Sequence, residues 1–315
     1  MGFRVFRGFG HIRRSSGIAA LVATLASGEA VAFAQQPPTT ASQSAPQPQA
    51  GAQSQTRAID RFRDREDGVP LSMFGTYLRG RELIVYPYYE YYRDRNYEYK
   101  PSEFGFPVDV DYRGRYRAHE GLIFMAYGLT DSIAVELEAA VIDATLEKAT
   151  DDPSGLPATI NESGLGDIET QLRWRWRRET ETRPELFSYA EAVVPHAKDR
   201  SLIGTPGWEL TFGAGLIRGF SGGTLTLRAA IQYEQASDTH FGGGEYAVEY
   251  LRRLSPAFRL FASVEGTEDE IELISELQWH LSRNAFVKVS SGFGVTSKAI
   301  DWAPEVGLVL RFGPR

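Results

Sequence analysis

The sequence predicts an all-β chain closed into an antiparallel up-and-down transmembrane barrel of twelve strands. Three observations carry this. Period-two alternation of apolar and polar residues dominates from about residue 80 onward. The connections between alternating segments are short and long in turn. All five tryptophans, Trp174, Trp176, Trp208, Trp279 and Trp302, fall at segment ends.

Residues 1–34 read as an export signal. MGFRVFRGFGHIRRSS is a basic leader, GIAALVATLAS is apolar, and Ala32-Phe33-Ala34 supplies a small–x–small cleavage pattern. The apolar part is shorter than the about 20 residues that a spanning helix needs. Arg13-Arg14 raises a twin-arginine alternative, against which Ser15-Ser16 replace the hydrophobic residues that should follow. Residues 35–71 read as a disordered periplasmic linker. Its first part, QQPPTTASQSAPQPQAGAQSQT, is nearly uncharged and has too little apolar surface to offset its chain entropy. Its last part, RAIDRFRDRED, is either a short helix at a barrel mouth or an exposed linker. The barrel domain is placed at 72–315.

Twelve strands are expected near 81–94, 111–128, 132–148, 166–179, 185–195, 207–218, 223–235, 244–253, 257–265, 270–281, 284–295 and 302–312. In the last, Trp302, Pro304, Val306, Leu308, Leu310 and Phe312 oppose Ala303, Glu305, Gly307, Val309 and Arg311. Successive strand side chains point to opposite faces, so one face is apolar and the other carries both signs of charge. The stretch DIETQLRWRWRRE behaves the same way: Ile168, Leu172, Trp174 and Trp176 oppose Glu169, Gln171, Arg173, Arg175 and Arg177. Three segments alternate poorly. RELIVYPYYEYYRD is aromatic on both faces, and Glu120 falls out of phase with Arg115, Arg117 and His119, as a bulge or a shifted register would explain.

With the N-terminus in the periplasm, Trp208 and Trp302 start strands at the outer rim. Trp174, Trp176 and Trp279 end strands at the inner rim. Two indole girdles at bilayer interfaces fit that distribution.

The formal net charge is −7. Residues 1–34 hold four arginines against one glutamate, which leaves the body near −10. An acidic body repels phosphate backbones. The arginines and tryptophans of 167–179 also lie on opposite faces, whereas a stacking platform needs both on one, so no nucleic-acid partner is expected. The sequence has no cysteine, which excludes thiolate catalysis and disulfides. No two histidines stand at metal-ligand spacing, and no phosphate-cradling glycine loop opens a helix, so neither metal nor cofactor is expected. A lipid hydrolase would need a serine and a histidine on one face. His280 has Ser275 on the opposite face and there is no G-x-S-x-G, so His280 reads as a hydrogen-bonded wall residue and the chain as a non-enzyme.

The inner face is expected to carry Glu136, Glu138, Glu169, Arg173, Arg175, Arg228, Glu249, Arg259, Glu272, Glu276, Lys288, Glu305 and Arg311. These either line a water-filled path or pair with one another in a filled scaffold. The loop acids Asp151, Asp152, Glu268, Asp269 and Glu270 either bind divalent cations at a lipopolysaccharide surface or are solvated tips. Tyr86, Tyr88, Tyr89, Tyr91 and Tyr92 fit a hydrophobic path or an interface girdle equally.

The run Ser163-Gly164-Leu165-Gly166-Asp167, with YGLTDSIAVELEA before it and Pro206-Gly207-Trp208-Glu209 after it, resembles the G-L-G-D element of the Meta-pathway phenol-degradation family of outer-membrane proteins. The resemblance spans roughly residues 80–312. It implies a pore-like barrel for uptake of small hydrophobic or aromatic compounds. On the residues alone, Gly164 and Gly166 permit a tight turn into a strand and Asp167 caps it. The expectation is an outer-membrane channel for passive uptake of small solutes in a Gram-negative-type envelope. A non-conducting barrel and a secreted soluble barrel binding a lipid-like ligand are the alternatives. Outer-membrane lipid, lipopolysaccharide and the barrel-assembly machinery are the expected partners, the last by way of the near-terminal Phe312.

Overall fold

The computed structural model describes residues 65–313 except 74, 238 and 268. The export signal and most of the linker lie outside the described residues. A short hairpin comes first, β1 (Val69–Pro70) and β2 (Tyr77–Leu78). Twelve longer strands follow: β3 (Leu83–Tyr99), β4 (Tyr112–Thr130), β5 (Ile133–Glu147), β6 (Thr159–Arg177), β7 (Glu185–Val194), β8 (Glu209–Gly219), β9 (Thr224–Glu234), β10 (Phe241–Arg253), β11 (Phe258–Gly266), β12 (Ile271–His280), β13 (Ala285–Gly294) and β14 (Ala303–Phe312). A 3-10 turn, η1 (Pro101–Phe104), lies between β3 and β4. Each long strand pairs antiparallel with the next, and β14 closes on β3 through pairs such as Phe312↔Leu83 and Val306↔Tyr89. This is the twelve-stranded closed barrel that the alternation predicts.

The pleat decides which side chain goes where. In β4, Tyr116, Ala118, Glu120, Leu122, Phe124 and Ala126 are buried, while Arg115, Arg117, His119, Ile123 and Tyr127 are exposed. Pairing of β4 with β5 runs unbroken from Arg115 to Gly128. Glu120 is therefore out of phase with its basic neighbours because it faces inward and they face outward, not because of a bulge. The same rule sorts the tyrosines of β3. Tyr86, Tyr88 and Tyr92 are buried, Tyr89 is exposed and Tyr91 is half-buried. Neither a path nor a girdle takes all five.

The outside is an apolar belt. Val141 is 62%, Ile231 59%, Phe212 52%, Val289 51% and Leu273 46% exposed. The inside is filled. Tyr92, Tyr99, Tyr116, Ile142 and Leu146 pack with Leu156, Ala197, Leu202, Ile203 and Ile300 from the long loops. The hairpin's Val69, Leu78 and Tyr77 are buried against the inner wall.

The hairpin straddles the expected boundary between linker and barrel at residues 71/72. Val69↔Leu78 and Pro70↔Tyr77 are paired, and Arg65, Glu66 and Asp67 make ion pairs with the barrel. These three end the charged RDRED run, and their counterions are on the wall. At the hairpin tip, Gly75 takes φ +63, and a Cβ there would come within 2.2 Å of Leu251 Cδ2. Gly75→Ala is expected to weaken hairpin seating by about 1–3 kcal/mol. Amide exchange across 69–78 in the folded barrel should then accelerate while the strand amides stay protected, and an unchanged hairpin pattern would refute it.

Candidate functional site

The thirteen charged residues expected on the inner face all have low exposure. Eleven are buried, and Glu249 and Arg311 are half-buried. A charge taken from water needs a partner, and three clusters show how that is met. On β9–β11, Arg228 lies 2.7 Å from Glu245, 2.8 Å from Glu249 and 2.9 Å from Glu265. On β12–β14, Lys288 Nζ lies 3.3 Å from Glu276 and 2.9 Å from Glu305, with the Tyr86 ring 5.2 Å away. Tyr86 donates its hydroxyl to Glu305, and Gln278 donates to Glu276.

The third cluster joins wall and hairpin. Arg173 lies 3.6 Å from Glu136 and donates to the Pro70 carbonyl at 3.0 Å. The rings of Phe187 and Tyr189 are 5.3 and 5.1 Å from its guanidinium. Ser72 donates to Glu136. Arg175 is 3.4 Å from Asp67 and donates to the Asp131 carbonyl. Glu66 pairs with Arg259 at 3.5 Å and with Arg311. Arg65 pairs with Glu179 and, at 3.9 Å, with Glu185. A cavity of about 30 Å3, room for about one water, lies between hairpin and wall, lined by Tyr77, Arg173, Phe187, Arg228 and Leu251 among others.

Carboxylates also face one another across strands. Glu138 stands opposite Glu169, Glu90 opposite Glu120, and Glu265 opposite Glu272. Sequence reasoning missed Glu90, Glu120, Glu245 and Glu265. Glu245 shares its parity with Glu249, and Glu265 with Arg259, so the period-two signal for those two was present.

The tryptophans sit on the outer face near the strand ends. Trp176 is 67%, Trp279 50%, Trp208 45% and Trp302 40% exposed. Trp174 is half-buried and meets Trp176 edge-on at 5.7 Å. Trp176 donates its indole N–H to Ser188. His280 has Nε2 3.2 Å from Gln278 Oε1 and stacks on Phe286. Of the loop acids, Asp152 is buried and accepts from the Tyr99 hydroxyl and the Ser154 amide. Asp269 pairs with Lys298 at 2.7 Å, and Glu268 lies outside the described residues.

The G-L-G-D run does something other than turn into a strand. β6 already begins at Thr159, so the run is inside it. Ala139 pairs with Ile168 but Val141 pairs with Leu165, which leaves Gly166 and Asp167 together opposite Ala140. That is a β-bulge, and it reverses the pleat. Before it Ile160, Glu162 and Gly164 are the more buried residues; after it Glu169, Gln171, Arg173 and Arg175 are buried. Gly164 takes φ +141, which favours glycine. Gly166 is buried beside Ile142 and Ile203. Asp167, rather than capping a turn, faces inward and accepts from Ala197 N at 2.8 Å, Thr205 N at 2.5 Å and Thr205 Oγ1 at 2.7 Å. Those bonds draw the β7–β8 loop over the barrel end. Leu202 N donates to Glu162, and Ser201 Oγ donates to the Glu103 carbonyl, so η1 joins the same cover.

No protein-family model matches the chain, and no curated protein matches it. Among solved structures it is similar to the COG4313 outer membrane channel from Pseudomonas putida F1, with 13% identity, a TM-score of 0.55, and coverage of 78% of this chain and 100% of that one. It also aligns with the translocator domain of autotransporter NalP from Neisseria meningitidis, at 14% identity, TM-score 0.46, 83% of this chain and 96% of that one. A third alignment is with the toluene transporter TbuX from Ralstonia pickettii, at 10% identity, TM-score 0.37, 82% and 93%. The first speaks for a shared fold: a closed antiparallel barrel of the kind seen in an outer-membrane channel.

Asp167→Ala should free the β7–β8 loop at a cost of about 2–3 kcal/mol, because a charged acceptor of several bonds is lost. Exchange at residues 197–205 would rise sharply while the strands stay protected; unchanged exchange there would show that the loop is held otherwise. Burial pushes the Glu103 carboxyl up to about 7 from an ordinary 4.5. Folding thus favours its neutral form, and that contribution is complete below 4.5 and is lost as the pH rises through about 7. Protection of amides 101–106, corrected for intrinsic rates, should fall across that window, and Glu103→Gln should flatten the profile.

Proposed function

We propose that this chain is an outer-membrane barrel that passes small molecules, and that the 65–78 segment is the closure of its inner half. One observation carries the proposal: the charged start of the segment, Arg65 to Asp67, is tied to the wall by ion pairs. The wall offers Arg259, Arg311 and Arg175 to Glu66 and Asp67, and Glu179 and Glu185 to Arg65. Opening would return these charges to water, which solvates them, at the cost of exposing the hairpin's buried Val69, Leu71, Tyr77 and Leu78.

The apolar exterior supports the membrane location. A ten-residue strand tilted by about 45° rises roughly 23 Å, close to the apolar band of outer-membrane barrels. The exposed tryptophans then form the two interface girdles. Export would use the signal in residues 1–34, and the assembly machinery would read the alternating end at Phe312. Hydrophobic or aromatic solutes are the class that the inward tyrosines fit, with Tyr86 and Tyr88 stacked at 4.5 Å on the inner wall.

A non-conducting barrel is the second reading, favoured by the packed interior and by a cavity of only about 30 Å3 beside the hairpin. Single-channel recording in planar bilayers separates the two. The mature chain should open rarely. Arg65→Gln/Glu66→Gln/Asp67→Asn leaves the buried wall charges unpaired in the closed state at a cost of about 3 kcal/mol or more, so the open fraction should rise by on the order of a hundredfold or more. Silence from both, with both well folded, would establish the scaffold instead.

A further inference from the structure

On the outside of the barrel, two arginines stand where no acid answers them. Arg93 on β3 and Arg117 on β4 are directly opposite each other in the strand register. Both side chains are exposed, and among the described residues neither has a hydrogen bond or an ion pair to its guanidinium. Their neighbours on the same face do: Arg95 lies 3.0 Å from Asp301, and Arg115 lies 3.6 Å from Glu147. Like charges facing each other across two strands are destabilising unless something between them is negative. We infer that Arg93 and Arg117 together hold the phosphate of an anionic lipid in the leaflet at the long-loop end. The inference rests on the reading that the barrel spans the outer membrane.

Three features favour a lipid over a dissolved anion. The first is height. Arg93 is ten residues beyond Leu83, the start of β3, so it stands roughly 23 Å along the membrane normal at a tilt of about 45°, where the apolar band gives way to headgroups. The second is the aromatic shelf under the arginines. Tyr91 and His119 are 4.9 Å apart, His119 Nδ1 is 2.7 Å from the Tyr89 hydroxyl, and Tyr91 meets Trp302 edge-on at 6.2 Å. The third is a slot for a chain. Gly121 is exposed, and a Cβ added to it would meet nothing within 4 Å. Its strand partners Tyr89 and Val141 are 44% and 62% exposed and form the walls.

On the β5 side the acid closest to this patch in the register is Asp143, exposed and opposite His119, one outward step below the arginines; on the other side Asp301, next to Arg93's bridge partner Trp302, is taken by Arg95. Beside Arg117 at its own level is Thr145, which is neutral. The guanidinium pair stands beyond the shelf, and each planar fork can donate two parallel bonds to phosphate oxygens.

The test reconstitutes the mature chain, the Arg93→Gln/Arg117→Gln variant and an Arg95→Gln/Arg115→Gln control in vesicles. These contain either bisphosphorylated lipid A or its dephosphorylated counterpart, and retained lipid is counted by native mass spectrometry. Wild type and control should prefer the phosphorylated form by on the order of tenfold or more, and the Arg93/Arg117 variant should show no preference. Equal retention of both forms by wild type, or a preference kept by that variant, overturns the site. Displacement of the lipid by inorganic phosphate alone overturns the lipid assignment. A chain that stays soluble without inserting overturns the membrane reading with it.

Discussion

Closure of the hydrogen-bond ladder is the constraint from which the rest follows. Every strand from Leu83 to Phe312 has two neighbours, and the last is zipped to the first. With no free edge, the backbone places no demand on the surroundings. The side chains are then free to divide by face: exposed leucine, valine and tryptophan outward, the ion-paired carboxylates and guanidiniums of the lumen inward. Because the strand period is two, a single extra residue anywhere reverses that division.

The bulge at Gly166–Asp167 uses that reversal. It switches which parity of β6 points inward, so the outer part of the strand presents Ile160 and Glu162 to the interior and the inner part presents Glu169, Arg173 and Arg175. It also leaves Asp167 inside with its oxygens aimed at the backbone of the β7–β8 loop. One backbone irregularity thus sets both the charge pattern of the wall and the position of the cover above it.

Inside, several charges of the wall find their partners only on the segment before the hairpin. Lys288 and Arg228 meet carboxylates of the wall itself. Arg175, Arg259 and Arg311 instead meet Asp67 and Glu66, and Glu179 and Glu185 meet Arg65. The desolvation cost of these wall charges is offset by a segment outside the ladder. This is why the hairpin lodges in the lumen although only two residue pairs join its strands.

Much of this was legible in the sequence, because it depends only on periodicity. The twelve strands, the inward charges of β9 and β12–β14, the outward tryptophans and the alternating connections all follow from a two-residue repeat that needs no partner to be recognised. Where the pattern is aromatic on both faces, as in Tyr86 to Tyr92, the repeat is silent and only the register assigns sides. The purpose of the RDRED run was hidden for a different reason: an ion pair spans more than a hundred residues, as between Arg65 and Glu179, and no local pattern signals its far member. The G-L-G-D run stood out as a motif, but whether two glycines turn a chain or bulge a strand depends on what lies opposite, here Ala140. Periodicity within one strand determined the faces; pairing between strands decided the phase, the bulge and the occupant of the lumen.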